Sequence, residues 1–366
     1  VRDMTLPQTT AIHPDPAGII VPRQHGQVLI NPPLPVLKDV VRRAPAGSPW
    51  QSDHDTVRPA LGAAWKDTAR RAREELIHAL AHHAAATDQA AVPADIVEKR
   101  WVITGHQVEF YHAGVWAKVI VADAAARVRT DAVALDLLVD HDVVDELGME
   151  APAQRGGRWH KDSITWGHSA ALPAEALSVP DQATFSAWRA ALEQHEAARS
   201  DALEIVLDAL KHDGVRRISK ARGASSGYTP WMSAARRTLE KKLDLNVLHV
   251  PTSLMCRGSA WLLFVQGWLR HAAAWAKAYN EQLAGYRTRM GISNPAQPMP
   301  DLVVAESRVE LPFWIYPLGE ARSRLMAVFV DGHVRIEHEG VTVRVPKEDG
   351  WAGAEALSAA LRAAGL

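Results

Sequence analysis

Between Arg100 and Asp142, apolar runs alternate with polar breaks in an order that predicts a β-α-β unit. Trp101, Val102 and Ile103 form a short apolar run that ends in Thr104-Gly105. A polar loop carrying His106, Gln107, Glu109 and His112 follows, and then an Ala/Val-rich helical pattern through Arg127 that includes Lys118. Ala132 to Val139 is a second apolar run and ends in Asp140-His141-Asp142. Parallel strands joined by a crossover helix present both strand ends on one edge of the sheet, where α/β proteins bind ligands.

The flanking patterns are less regular. Pro14, Pro16, Pro22, Pro32, Pro33, Pro35, Pro45 and Pro49 disfavour long helices, so residues 1–55 read as an extended arm. A helical stripe of Leu61, Trp65, Ala69 and Leu76 runs over 56–86, and residues 150–180 read as loop or short strand. A long helix is expected from Phe185 to Asp213, closed by Gly214, then a helix over Trp231–Leu243 and a short strand over Asn246–Val250 that ends in Pro251-Thr252-Ser253. Ser259 is the expected N-cap of the longest helix, to Met290. Its Trp261, Phe264, Trp268, Ala272, Trp275, Tyr279, Leu283 and Tyr286 read as one core stripe. Beyond Pro300 the period changes. Leu302–Ala305, Phe313–Tyr316, Leu325–Val330, Val334–Glu337 and Val341–Val345 are strand candidates, Asp331-Gly332 is a hairpin turn, and Ala352–Ala364 is a final helix. The fold class that follows is α/β. A Rossmann-like parallel-sheet core with long helices is expected over 56–290, and a small antiparallel β segment with a terminal helix over 291–366.

Composition narrows the partners. A formal net charge of −1 gives no global pull toward nucleic acid or an anionic membrane. The chain has no apolar run of roughly 18 residues and no basic-then-apolar leader, so no membrane partner and a cytoplasmic location are expected. One cysteine, Cys256, rules out an intrachain disulfide, and a buried inert thiol is its expected state.

Two strand ends carry the candidate chemistry. Thr104, Gly105, His106 and Gln107, with Glu109, His112 and Lys118, could hold an anion, because Gly admits a ligand to the backbone and a helix start attracts negative charge. The loop is neither a Walker loop nor a dinucleotide turn, and a plain structural turn is its alternative. Asp140, His141 and Asp142 could orient a hydroxyl, relay a proton or bind a metal. A solvated loop continuing into Asp145 and Glu146 is the alternative, and the absence of a Cys cluster or a helical His pair argues against metal. The stretch Arg216 to Ser225, with Ser219, Lys220 and Arg222, resembles the mobile phosphate loop of synthetase-type nucleotidyltransferases, although a solvated basic turn accounts for it more simply. Glu306, Arg308 and Glu310 could line a pocket or mark an edge strand.

Taken together, the two loops resemble the bacillithiol biosynthesis cysteine-adding enzyme family. Gly105, Gln107 and Gly114 match the family's Gly-Gln-Gln segment and the Gly of its following Gly-Pro. Asp140, His141 and Asp142 match its Glu-Asp-His-Asp segment. His106 stands where the family has its first Gln, and Val139 where it has Glu. The resemblance implies a Rossmann-like, nucleotidyltransferase-like core and a ligase or transferase that joins cysteine to a small anionic amino sugar as an amide. ATP or another nucleotide is its implied cofactor. In that picture Gly105, His106 and Gln107 hold an anionic group, and Asp140, His141 and Asp142 hold or deprotonate the second substrate. The family's C-terminal coiled-coil part would begin near Leu366, so a fragment or shortened relative is expected, with a homodimer as the oligomer to test. The other readings are a non-catalytic binding relative and a metal-assisted hydrolase using His106, His112, Asp140 and His141.

Overall fold

The structure, a computed structural model, describes residues 32–43, 65–87, 92–110, 113–144, 146–195 and 227–366. Strands β1 (Arg100–Gln107), β2 (Ala132–Val139) and β5 (Val247–Pro251) form a parallel sheet in the order β1-β2-β5. Strands β2 and β5 are apolar almost throughout because helices cover both faces. On one face α3 (Ala113–Ala126) sets Val115, Val119 and Ala122 against Ala134 and Val247. On the other, α2 (Trp65–Ala86) packs Leu76 and Leu80, with Ile96, against Val133, Leu135, Leu248 and Val250. The expected α/β class is therefore the observed one.

Strand β1 is longer than its hydrophobic run. Thr104, Gly105, His106 and Gln107 belong to the strand rather than to a loop, and pair in register with Asp136, Leu137, Leu138 and Val139. Among the described residues β1 lies at the sheet edge, where half-exposed positions tolerate polar side chains and backbone pairing decides the conformation.

The stretch expected as loop or short strand carries an antiparallel hairpin, β3 (Leu147–Arg155) and β4 (Arg158–Gly167). Its turn is Gly156-Gly157, with φ of 57° and 75°. Two successive positive φ values are what a tight hairpin needs, and glycine supplies them without a Cβ penalty. Trp166 on β4, Phe185 and Trp188 on α4 (Gln182–Gln194), and Tyr228 and Trp231 on α5 (Tyr228–Lys242) form an aromatic core below it. Helix α4 ends where His195 turns extended, well short of Asp213. Residues 196–213, the Ser219, Lys220 and Arg222 loop, His112 and most of the Pro-rich arm lie outside the described residues. The described piece of the arm is helix α1 (Leu34–Arg43), not extended chain; Pro35 sits in its first turn, where a missing N–H costs nothing.

The long helix to Met290 is two helices. Following the short α6 (Thr252–Cys256), α7 (Ser259–Arg270) and α8 (Ala272–Met290) meet at His271, whose φ of −121° leaves the helical range. Gly258 occupies the N-cap position assigned to Ser259. The break rotates the aromatic stripe out of line. Phe264, Trp275 and Tyr286 are exposed, while Trp261, Trp268 and Tyr279 stay against the core.

Both helices pack with α9 (Gly350–Ala363) on an antiparallel sheet of β6 (Arg308–Ile315), β7 (Ser323–Val330), β8 (His333–His338) and β9 (Val341–Arg344). Leu262, Val265 and Leu269 meet Leu311, Ile336 and Leu357 there, so α7 and α8 share a buried face with the C-terminal strands. Residues 302–305 do not form a strand; Val304 makes only a single bridge to Val309. The Asp331-Gly332 turn joins β7 to β8, with φ of 50° and 71°. No helix among the described residues is long and apolar enough to cross a membrane.

Candidate functional site

The carboxyl ends of β1, β2 and β5 bring Gln107, Asp140 to Asp142, and Thr252-Ser253 together. Asp140 is 1% exposed and faces the start of α6. Its carboxylate accepts from Ser253 N at 2.8 Å, Ser253 Oγ at 2.7 Å and Thr252 Oγ1 at 3.2 Å. Burial pushes the Asp140 carboxyl above the usual carboxylate range, against these hydrogen bonds, which pull it down. With both oxygens engaged, Asp140 pins β2 to α6, a holding duty set against the catalytic role expected of it.

His141 is placed differently. Its Nδ1 lies 2.7 Å from Thr252 Oγ1. That hydroxyl has one hydrogen, directed to Leu138 O at 3.1 Å or to the Asp140 carboxylate. With its hydrogen so directed, Thr252 Oγ1 accepts from a protonated Nδ1 and Nε2 presents a lone pair; with the hydrogen directed to Nδ1 the two ring nitrogens exchange roles. Burial holds the ring below the usual imidazole range, although Asp140 and Asp142 oppose the shift. At neutral pH it is an uncharged base.

Asp142 is the meeting point of three elements. It accepts from Gln107 Nε2 at 3.2 Å and from Val143 N at 2.9 Å, and it is ion-paired with Arg322. Arg322 comes from the β6–β7 connection, lies 4.2 Å over the ring of Trp314 and also reaches His141 O. Arg324 stacks on the same indole at 4.4 Å. From the same connection, Tyr316 donates to Glu175 at 2.7 Å, and Glu175 N donates to Asp140 O at 2.9 Å. The C-terminal sheet thus supplies part of the site's wall.

No family model and no curated protein matches this chain.

The remaining expected ligands divide. Gly105 faces its own sheet: a Cβ there would sit 2.9 Å from both Leu137 Cβ and Leu137 O. Its small size is needed for strand packing, whatever approaches the backbone there. Thr104 pairs with Asp136 within the strand and is not presented by a loop. His106 is drawn 3.5 Å from Glu109, off the His141 cluster. Lys118 is exposed on α3, and no contact ties it to the cluster. Gln107 of this set joins Asp142. A nucleotide there stays an expectation of the resemblance.

A second constellation looks catalytic and is not. Ser233 Oγ lies 2.8 Å from His249 Nδ1, and His249 Nε2 lies 2.7 Å from Glu240, the order of a nucleophile, base and acid. All three are fully buried, so no substrate reaches Ser233. His83 Nε2, 3.2 Å from Ser233 Oγ, completes a hydrogen-bonded chain that ties α2 to α5 and β5. Burial acts to raise the Glu240 carboxyl, but His249, Arg236 and Arg237 outweigh it and hold it low. Among the described residues no group of three or more His, Cys, Asp or Glu side chains is arranged to hold a metal.

None of Thr252, Ser253, Glu175, Tyr316 and Arg322 was expected as a site residue from the sequence. Thr252-Ser253 carried a usable signal, since it follows a short apolar strand as Asp140 does. Nothing in local spacing marks Arg322 or Tyr316.

Proposed function

We propose that this chain is an amide-forming ligase or transferase that joins an amino acid to a small anionic amino-sugar-type substrate, with His141 as general base. The observation that carries this reading is the His141 imidazole, held by Thr252 Oγ1 at the carboxyl edge of a parallel sheet and kept below its usual range by burial. A base of this kind takes the proton an amine sheds as it attacks a carbonyl carbon. Arg322 and Arg324 both stack on Trp314, ion-paired with Asp142 and Glu310, and an anionic substrate would have to take the place of one of those carboxylates. Gln107 and Asp142 would orient the amine or a hydroxyl next to it. A nucleotide, implied by the family resemblance alone, would supply activation of the carboxyl group.

The test is product formation by the whole chain from cysteine, glucosaminyl-malate and ATP, followed by mass spectrometry. His141→Gln should lower turnover by roughly a hundredfold or more with its melting curve unchanged. The acid limb of the pH profile should fall below the ordinary imidazole value, because a base with a depressed pKa stays deprotonated further into acid. Calorimetric binding of the sugar acid with no product would favour the non-catalytic relative. Absence of both binding and product would overturn the reading.

A further inference from the structure

Behind Tyr316, between α7, α9 and the antiparallel sheet, lies a cavity of about 470 Å³. That is within the range of small-molecule sites, roughly 300–1,000 Å³. Its body is apolar, walled by Trp261, Leu262, Val265, Phe313, Ile336 and Leu361. Trp261 and Phe313 meet edge to face at 5.6 Å and make a firm side to it. Its polar end is formed by Glu175, Ser253, Arg257, Tyr316 and Arg362, with Cys256 beside them.

The charges at that end are unevenly matched. Glu175 is already satisfied by an ion pair with Arg257 and a hydrogen bond from Tyr316. Burial and nearby acids keep the Cys256 thiol protonated, pushed up to about 12, and raise the Tyr316 hydroxyl too, so both are neutral. Arg362 is exposed and has no acidic partner among the described residues; its one hydrogen bond runs to Arg257 O at 3.5 Å. Arg362 is therefore the basic side chain of that end that has no acidic partner among the described residues, at the rim of an apolar chamber. A neutral hydrocarbon would leave Arg362 unused, and a cationic ligand would be repelled.

We propose that this cavity binds an amphipathic monocarboxylate, its alkyl or aryl body among Trp261, Phe313 and Ile336 and its carboxylate at Arg362 and Arg257. The site shares the Ser253 and Glu175 wall with the His141 cluster, but binding there requires no chemistry at His141.

Decanoate is a suitable probe, titrated into the whole chain by calorimetry below its micelle concentration. One molecule per chain is expected. Arg362→Glu, on the surface, should weaken decanoate at least fivefold and leave decanol unaffected. Leu361→Trp, which fills the chamber, should weaken both at least tenfold. Should Leu361→Trp not fold, Cys256 reports occupancy without any substitution. It is the only cysteine of the chain, and saturating decanoate should slow its alkylation at least fivefold. His141→Gln should bind decanoate as wild type does, which separates this site from the proposed reaction. No saturable binding overturns the proposal, including the case in which another part of the chain or a second copy fills the chamber. Equal affinity of decanoate and decanol overturns the carboxylate assignment, and an unchanged alkylation rate overturns the location.

Discussion

Neighbouring residues of similar chemistry have opposite duties at the end of β2. Asp140 and His141 are adjacent in sequence, yet Asp140 is spent on the amide and hydroxyl of Ser253 while the His141 ring meets Thr252 through Nδ1. Removing the Asp140 carboxylate would strand the buried amide and hydroxyl of Ser253, while Thr252 keeps Leu138 O as an acceptor. Hydrogen bonds to an ionised acceptor are worth about 1.5–3 kcal/mol each, with partial compensation by water. Asp140→Ala should therefore cost on the order of 3 kcal/mol in a urea titration, and a loss below about 1 kcal/mol would return the residue to the catalytic list. Gly105 follows the same logic in reverse. It looks like a ligand-facing glycine but is held by its neighbour Leu137.

Between elements, the buried chain from His83 through Ser233 and His249 to Glu240 joins α2, α5 and β5 without a route to solvent. Burial, aided by His249, lowers the His83 imidazole from 6.5 to about 3. The unfolded ring takes its proton near 6.5 and the folded ring resists until about 3, so the unfolded state binds more protons in that window. The stability contribution is intact above 6.5 and is lost as pH falls toward 3. Its slope is about 1.4 kcal/mol per pH unit. Chemical denaturation between pH 6.5 and 5 should show a shallower dependence in His83→Gln than in wild type, and equal slopes would disprove the assignment.

These elements also show what the sequence could convey. The β1-α3-β2 unit, the β7–β8 turn and the terminal helix were legible because apolar period and turn chemistry are local. The end of β1 was not, since His106 and Gln107 read as loop until β2 is there to pair with them. The break at His271 was hidden too, because neither proline nor glycine marks it and the packing of α7 and α8 on the C-terminal sheet imposes it.

At the scale of the molecule, the two sheets are joined at the candidate site. Gln107, Asp142 and His141 were readable as strand-end residues, whereas Arg322 and Tyr316 arrive from a connection far along the chain, beyond the reach of any local pattern. The Arg322 guanidinium helps keep the His141 pKa low. Arg322→Gln should therefore raise the His141 titration midpoint, followed by NMR of the imidazole Cε1 proton. A midpoint unchanged or lowered would show that the C-terminal sheet has no electrostatic hold on the site.

The order in which the chain leaves the ribosome gives the link between Asp140 and Ser253 another meaning. The two are 113 residues apart, and Arg322 lies 181 residues beyond His141. Closing such long loops is slow, and an unfinished parallel sheet keeps a sticky margin while it waits. During synthesis β2 must stand with one side bare until β5 emerges, and His141 gains its orienting hydroxyl only then. The site is consequently among the last features to form, and chaperone demand should peak in the interval between those two strands.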